Sequence, residues 1–508
     1  MNLLDLFSSI PFLTDKTVPD VDITSLTVDS REVTPGTLFV AVRGVNLDGH
    51  QFLEHAVQRG AVAAIGEQPA PDLPIPYYRV ENARLAFSEL AAAWYGRPAQ
   101  KLTLIGVTGT DGKTTTVNLI YHIMEAAGLK AGMISTVNAV LGERTLETGL
   151  HVTTPEPLKV QAMLAEMVEA GITHAVLEVT SHGLAQHRVL PHEFRVAVVT
   201  NITHEHLDYH GSYQAYHDAK AMLFRSSFSG EAGKVSILNR ADESYADLAR
   251  TSRGRIISYG GLEGDITASD IDFSASGLRL MIHTPDTSQK VTCRLLGNYN
   301  VSNILAAFAA TVQGLGISPE QAAEGIAALP GIPGRMQQID MGQAFLALVD
   351  FAHTPNALRV TLETCRTLTA GRVIAVFGSA GLRDREKRRL MAQESIRGAD
   401  ITILTAEDPR TEMLDSILSE MAEGATAAGG VEGESFLRIP DRGEAISQAV
   451  RMAQSEDLVV ACGKGHEQSM CFGEKEYPWD DRTAMRSALA AMLGVDGPEM
   501  PYLPTRPA

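Results

Sequence analysis

The stretch Ile105-Gly106-Val107-Thr108-Gly109-Thr110-Asp111-Gly112-Lys113-Thr114-Thr115-Thr116 constrains this chain more than any other, because an apolar strand runs into a glycine-rich turn that ends on Lys-Thr where a helix begins. Glycines let backbone amides wrap phosphate oxygens, a helix start adds free N–H groups and a positive dipole end, lysine brings charge, and a hydroxyl can meet Mg²⁺. The turn therefore predicts an ATP site built by Gly109, Thr110, Asp111, Gly112, Lys113, Thr114 and Thr115. The general pattern Gly-x4-Gly-Lys-Ser/Thr is not met, since its first glycine would fall on Val107; the motif is Gly-Thr-x-Gly-Lys-Thr-Thr. A plain glycine turn with a solvated lysine is the competing reading. The strand before, the helix after and the two hydroxyls behind the lysine weigh against it.

A chain of 508 residues exceeds one hydrophobic core, and its length predicts about three domains. A formal charge of −18 excludes a nucleic-acid or membrane-surface binder, so a site for anions must gather its cations locally. Cys293, Cys365, Cys462 and Cys471 lack Cys-x-x-Cys spacing and read as buried thiols of a reducing compartment. The start, Met1 to Phe7, has no basic leader, and no apolar run reaches membrane-spanning length. The expectation is a cytoplasmic monomer.

Residues 1–98 read as short strands and helices ending at the turn-rich seam Tyr95-Gly96-Arg97-Pro98. In region 99–332, strands are predicted at Leu102 to Val107, Met133 to Thr136, His174 to Val179, Val196 to Thr200 and Val235 to Leu238, with a closing helix from Asn300 to Gly314. After the seam Leu329 to Arg335, region 333–508 shows strands at Phe345 to Val349, Val373 to Phe377, Ile401 to Thr405 and Leu458 to Ala461. The fold class is α/β: an N-terminal α/β domain, a central mostly parallel P-loop sheet and a C-terminal doubly wound, Rossmann-like sheet. Ligands of such sheets sit beyond the carboxyl ends of the strands. Those ends deliver Gly109 to Thr115, Glu178 to His182 and Asn201 to His206 in the central region, and Asp350 to His353, Gly378 to Asp384, Glu407 to Arg410 and Gly463 to Glu467 in the last. Two polar rims facing one cleft are expected.

Glu178-Val179-Thr180-Ser181-His182 and Asn201-Ile202-Thr203-His204-Glu205-His206-Leu207-Asp208-Tyr209-His210 bring carboxylate and imidazole to adjacent strand ends. Taken alone, such a cluster suits a zinc ion or a hydrogen-bonded loop; beside a phosphate loop, Mg²⁺ gains ground, although imidazole is an uncommon ligand for it. Tyr213 to Phe224 reads as an amphipathic helix on which Lys220 is a surface lysine.

Gly109-Thr110-x-Gly112-Lys113-Thr114-Thr115, Glu178-x-x-Ser181-His182, Asn201-x4-His206-Leu207-Asp208, Ala219-Lys220, Gly297-x-x-Asn300-x-x-Asn303 and Pro333-Gly334-Arg335 follow one another in the order found in the Mur ligases of peptidoglycan synthesis, which this chain resembles over nearly its whole length. Within them it is most similar to the MurE type, the ligases that add the third stem-peptide residue, through Asp29-Ser30-Arg31, Pro35-Gly36-x-Leu38-Phe39-Val40-Ala41, Thr153-Thr154-Pro155, Asp350-x-Ala352-His353-Thr354-Pro355, Asp408-Pro409-Arg410 and Gly463-Lys464-Gly465-His466-Glu467.

The resemblance implies ATP- and Mg²⁺-dependent amide formation between UDP-N-acetylmuramoyl-L-alanyl-D-glutamate and a free diamino acid, through an acyl phosphate. It implies catalytic roles for Lys113, Glu178, His206 and Lys220, with Lys220 carbamylated, and metal binding by Thr114, Glu178, His206 and Lys220. Ser30 resembles a contact to the UDP end; Thr153, Thr154, Thr180, Gln186 and Arg188 resemble those holding the muramyl dipeptide, Arg188 as a carboxylate fork. Asn300 and Asn303 fall at adenine-side positions, though unaided they read as helix-start caps, and Arg335, Asp350 and His353 fall where the last domain closes on the nucleotide.

The third residue is expected to be read by Arg388, Glu407, Asp408, Pro409, Arg410, Gly463 and Glu467. Arg410 suits the distal carboxylate of meso-diaminopimelate, whereas Asp408, where the family loop has Asn, adds charge that favours the plain ammonium of L-ornithine or L-lysine. That second argument tilts the reading toward ornithine or lysine. Asp111, where Asn is usual, puts an acid beside a polyanion and has no role assigned by sequence. A folylpolyglutamate-type ligase and a catalytically silent nucleotide-binding regulator are the alternatives; the Ser30 region, the Asp-Pro-Arg loop and the joint presence of Lys113, Glu178, His206 and Lys220 argue against them.

Overall fold

The computed structural model describes residues 1–10, 12–13, 18–44, 47–69, 72–147, 153–203, 205–228, 230 and 233–505, and for 147, 207 and 208 the backbone alone. The chain divides into two compact units. The first holds Met1–Thr267, His283–Thr287 and Ser302–Gly325; the second holds Ala268–Ile282, Ser288–Val301 and Ile326–Ala508.

Two sheets make up the first unit. Ser25–Thr27, Thr37–Val40, Ala61–Gly66 and Tyr77–Arg79 pair in chain order, all parallel. A parallel sheet is buried on both faces, so its strands are continuous apolar runs rather than alternating ones. Accordingly Leu38, Val40 and Ile65 pack under helices Leu3–Ser8 and Ala83–Trp94, while Phe39, Ala41 and Ala64 form a second cluster with Leu53 and Ala56.

The larger sheet has eight strands in the order Arg255–Tyr259, Val235–Asn239, Phe194–Val199, Thr103–Thr108, His174–Glu178, Ala131–Ile134, Asn138–Val140, Thr145–Glu147. The first six are parallel and the last two pairings antiparallel. The five predicted strands are all present, with ends moved by one or two residues; Arg255–Tyr259 and the antiparallel edge were not predicted. The order explains the site. Thr103–Thr108 lies between His174–Glu178 and Phe194–Val199, so the phosphate loop emerges with Glu178 on one side and the loop from Thr200 on the other. The predicted helix from Asn300 is α-helical to Phe308 and then widens into a π turn over Ala309–Gln313.

The second unit is built on a six-stranded sheet in the order Gln337–Gln338, Leu346–Asp350, Leu458–Cys462, Val373–Phe377, Ile401–Leu404, Phe436–Arg438, parallel except for its short first strand. Helices cover both faces, with Leu348, Phe377 and Leu404 in one core and Val349, Val376 and Ile403 in the other. A three-stranded sheet, Thr267–Ser274, Gly277–His283 and Ser288–Cys293, falls largely in this unit. Cys293, Cys365 and Cys462 are buried as expected, but Cys471 is only half-buried, because it lies on the two-stranded ribbon Ser469–Phe472 and Lys475–Pro478 outside the main sheet. Among the described residues no helix is long and apolar enough to cross a membrane.

Candidate active site

Gly109 and Gly112 both have positive φ, at 152° and 80°, which an L side chain rarely adopts. Space is also lacking, because a Cβ on Gly109 would collide with Thr200 Oγ1 and one on Gly112 with Asn303 Oδ1. Lys113 starts helix Lys113–Ala126 and turns its Nζ back on the loop, donating to the Thr110 carbonyl at 2.8 Å. Thr110 Oγ1 is a hub. It meets Tyr216 Oη at 2.9 Å and accepts from Thr203 N–H at 2.9 Å. Asp111 is held by its backbone, its N–H donating to Asn201 Oδ1 at 2.9 Å and its carbonyl accepting from Thr200 Oγ1, while its side chain is exposed. The acid is thus solvated, yet its charge still reaches Lys220 and Tyr216 behind the loop.

Thr114 is buried and donates its hydroxyl to Glu178 Oε2 at 2.9 Å; the same oxygen accepts from Thr136 N–H at 3.1 Å. A hydroxyl and a carboxylate oxygen in contact are hard donors that suit Mg²⁺. His206 is 45 % exposed, adopts φ 54° and stacks edge-on to His182 with ring centroids 4.8 Å apart, while His182 also meets Tyr209 and His210. Among the described residues no group of three or more His, Cys, Asp or Glu is arranged to hold a metal ion. His204, named in the same motif, lies outside the described residues, as does the side chain of Asp208.

Lys220 corrects the surface reading. It is 1 % exposed, and its Nζ donates to the Gly109 carbonyl and lies 4.6 Å from the Tyr216 ring centroid. Lys220 lies instead on the buried face of helix Tyr213–Arg225, with Tyr216 and Leu223, against the turn at Gly109. Burial first, and then Lys113, holds its ammonium well below the usual lysine range, against the pull of Glu205, Asp111 and Glu178. Sequence reasoning missed Tyr216, one helical turn before Lys220. Their shared face was the available signal.

Thr154 Oγ1 donates to the Glu178 carbonyl at 3.2 Å and meets Thr180 Oγ1 at 3.0 Å, and Thr153 Oγ1 accepts from Thr136 Oγ1 at 3.1 Å. Arg188 reaches the Thr154 carbonyl at 2.8 Å, Gln186 Oε1 at 2.8 and 3.0 Å, and Glu156 Oε1 at 2.8 Å, while Gln186 also donates to Tyr209 Oη. The predicted fork thus already holds a carboxylate, although Glu156 is 59 % exposed and replaceable at little cost. Ser30 is buried, just beyond strand Ser25–Thr27 of the small sheet. Asn303 lies against Gly112 and accepts from Thr116 Oγ1 at 3.5 Å, so it braces the phosphate loop. Neither asparagine occupies a cap position: Asn300 is the first helical residue and donates its amide to the Leu296 carbonyl at 2.7 Å, and Asn303 is one turn further on.

In the second unit, Asp350 accepts from Met336 N–H, Ala352 N–H and Thr361 Oγ1, and so ties the Arg335 segment to its own strand end. Arg335 stacks 4.4 Å over the Phe351 ring, and His353 and His466 stack on the same ring. Burial and surrounding cations hold His466 down to about 3, so it is neutral. Arg388 does not face a ligand: its side chain is 0 % exposed and its guanidinium pairs with Glu420 at 3.0 Å and Glu412 at 2.9 Å. Its charge braces helix Glu386–Gly398 instead, which composition alone could not reveal.

Glu407 is buried, its Oε2 has no hydrogen-bond partner among the described residues, and burial raises its carboxyl to about 7. Gly463, with φ 109°, abuts that oxygen so closely that a Cβ would collide with it. Asp408 and Arg410 flank the buried Pro409 with φ 39° and 54°, a loop strained by ~1–3 kcal/mol per residue. Lys464 Nζ bonds Asp408 Oδ1 at 3.0 Å and Glu467 Oε2 at 2.7 Å, and Cys471 N–H also donates to Asp408 Oδ1. Asp408 and Glu467 therefore share one internal cation. Arg410 is half-buried and makes no ion pair among the described residues.

Three family descriptions match the chain: "Mur ligase family, catalytic domain" over residues 22–95, "Mur ligase middle domain" over 107–311 and "Mur ligase, glutamate ligase domain" over 334–465. The chain is 42 % identical to a UDP-N-acetylmuramyl-tripeptide synthetase of Roseiflexus sp. (strain RS-1), over 94 % of this chain and 96 % of that protein. It is 40 % identical to a UDP-N-acetylmuramoyl-L-alanyl-D-glutamate--2,6-diaminopimelate ligase of Geobacillus thermodenitrificans (strain NG80-2), over 96 % and 99 %. A solved structure of another such diaminopimelate ligase superposes with a TM-score of 0.68 at 30 % identity, over 97 % of this chain and all of that one.

Proposed function

The chain belongs to the Mur ligase family, and from that premise we propose that it joins a diamino acid to UDP-N-acetylmuramoyl-L-alanyl-D-glutamate at the expense of ATP, as a cytoplasmic enzyme with functional domains at 1–98, 99–332 and 333–508. The observation that carries it is the buried Lys220 behind a phosphate loop whose Thr114 hydroxyl contacts Glu178.

A carboxylate must approach the γ-phosphate, and two unit negative charges ~4 Å apart repel by roughly 4 kcal/mol at an effective dielectric of 20. Lys113 and the amides at Gly112 to Thr115 offset that repulsion. Thr114 and Glu178 would hold a magnesium ion, with His206 and Lys220 serving a second; the metal supplies charge neutralisation for phosphates and carboxylate. Only an unprotonated amine attacks CO₂, and burial favours that form at Lys220, which supports its carbamylation. Thr153, Thr154, Thr180, Gln186 and Arg188 would position the muramyl dipeptide and Ser30 its UDP end, while Asn300, Asn303, Arg335, Asp350 and His353 serve the nucleotide. The substrate carboxylate oxygen attacks the γ-phosphorus, ADP departs, and the incoming amine expels phosphate from the acyl carbon.

For the diamino acid, the unpaired Arg410 and the internal Lys464–Asp408 pair support meso-diaminopimelate, with Glu407, Gly463 and Glu467 taking its ammonium end. L-Ornithine or L-lysine is the second reading, favoured by the number of carboxylates at Glu407, Asp408 and Glu467. Incubation with ATP, Mg²⁺, the UDP-muramyl dipeptide and each diamino acid in turn, followed by phosphate release and product mass, tests all of this. Phosphate release independent of both acceptor and amine sinks the ligase proposal; turnover with ornithine or lysine but not diaminopimelate overturns the Arg410 reading.

A further inference from the structure

Arg442 and Asp481 are both 0 % exposed and form a bidentate pair, Nε to Oδ1 at 2.7 Å and Nη2 to Oδ2 at 2.6 Å, with Trp479 Nε1 donating to the same Oδ1 at 2.8 Å. Each opens a helix, Arg442–Met452 and Asp481–Leu493. An arginine at a helix N-terminus opposes the dipole, and a buried ion pair is weak evidence for stability. The remaining donors of Arg442 show where its effect goes. Nη1 donates to the Ala406 carbonyl at 3.2 Å and Nη2 to the Cys462 carbonyl at 2.7 Å. Those residues immediately precede Glu407 and Gly463. Their strands, Ile401–Leu404 and Leu458–Cys462, are not neighbours in the sheet; Val373–Phe377 runs between them and ends before Gly378, where a Cβ would collide with Glu407. No ladder hydrogen bond therefore joins the two strand ends; the Arg442 guanidinium spans them at their base, and the Lys464–Asp408 pair joins the same loops further out.

We propose that Arg442, oriented by Asp481, is a positioning residue for diamino-acid recognition that locks the Glu407–Arg410 loop to the Gly463–Glu467 loop. The inference rests on the diamino-acid site proposed above. Lysine at 442 keeps the charge but lacks the planar fork that serves a carboxylate and two carbonyls at once. In R442K the KM for the diamino acid rises about tenfold or more, as expected when supporting groups shift by ~1 Å, while the KM values for ATP and the UDP-muramyl dipeptide stay within about twofold. The double variant R442M/D481L removes the pair without leaving a buried lone charge and gives the same split. In both, amide hydrogen exchange speeds up at Asp408 and Arg410 and at Gly463 to Gly465, with strand Val373–Phe377 unchanged. An unchanged diamino-acid KM in a folded variant, equal rises in all three KM values, or unaltered exchange at the two loops overturns the proposal. If wild type binds and consumes no diamino acid, the site reading itself has failed, and the exchange measurement still decides whether the clamp exists.

Discussion

Glu407 gives the most direct physical test. Burial raises its carboxyl from 4.5 to about 7, with Lys387, Arg442 and Lys464 opposing the rise. The folded state then holds the proton more tightly than the unfolded chain does, so stability is greatest below the unfolded value, falls as pH climbs toward 7 and levels off above it. A rise from 4.5 to about 7 corresponds to about 3 kcal/mol at the alkaline plateau, most of which develops between pH 5 and 8.5. Glutamine has nearly the same shape and cannot ionise, so the E407Q minus wild-type stability difference should grow by that amount over the range. Trp479 is buried in the second unit and one of only two tryptophans, so its fluorescence in a W94F background reports urea unfolding of that unit. In thermal melts the same difference amounts to about 5–10 °C for a unit of this size. A flat difference would mean that Glu407 stays ionised, stabilised by Lys387, Lys464 and Arg442, and the account of a proton-holding acid would be refuted.

Lys220→Ala should cut turnover by about 100-fold or more without restoration by bicarbonate, because the carboxylate-like group needs the lysine nitrogen as its anchor; full activity would remove the carbamate. Thr114→Ala should also lose about 100-fold in turnover while costing only about 1 kcal/mol in stability, read by steady-state kinetics and denaturant unfolding. Tyr216→Phe keeps the ring over Lys220 but deletes the bond to Thr110, so the KM for ATP should rise severalfold with a stability loss of about 1 kcal/mol; an unchanged KM would show that Thr203 alone fixes the loop. Gly112→Ala should abolish nucleotide binding measured by calorimetry, since Asn303 blocks the methyl group and the positive φ strains it by ~1–2 kcal/mol.

The phosphate loop was legible because its requirements are local: glycine at positive φ, lysine at a helix start, a hydroxyl behind it. Glu178 and Asn201 were legible because parallel strands put their followers on one rim. Lys220 was not, since amphipathic periodicity cannot tell a face covered by solvent from one covered by a loop more than a hundred residues away. Arg388 failed for the same reason in reverse, its partners Glu412 and Glu420 being distant in sequence. The partner of Asp408, Lys464, lies fifty-six residues on, so the formal charge of that loop could not be balanced from sequence order. Strand Arg255–Tyr259 begins on an exposed arginine, which disguised it, and the antiparallel edge is too short to show a period.

The absence of a side chain at position 463 has an evolutionary corollary. Because the Glu407 carboxylate occupies the volume a methyl group would need, a side chain at 463 would have to displace it and also bear the strain of φ 109°. Shrinking the acid at 407 opens space but leaves at 463 a backbone that only glycine adopts freely, so this corner is remodelled for a different amino acid through position 407 rather than through 463.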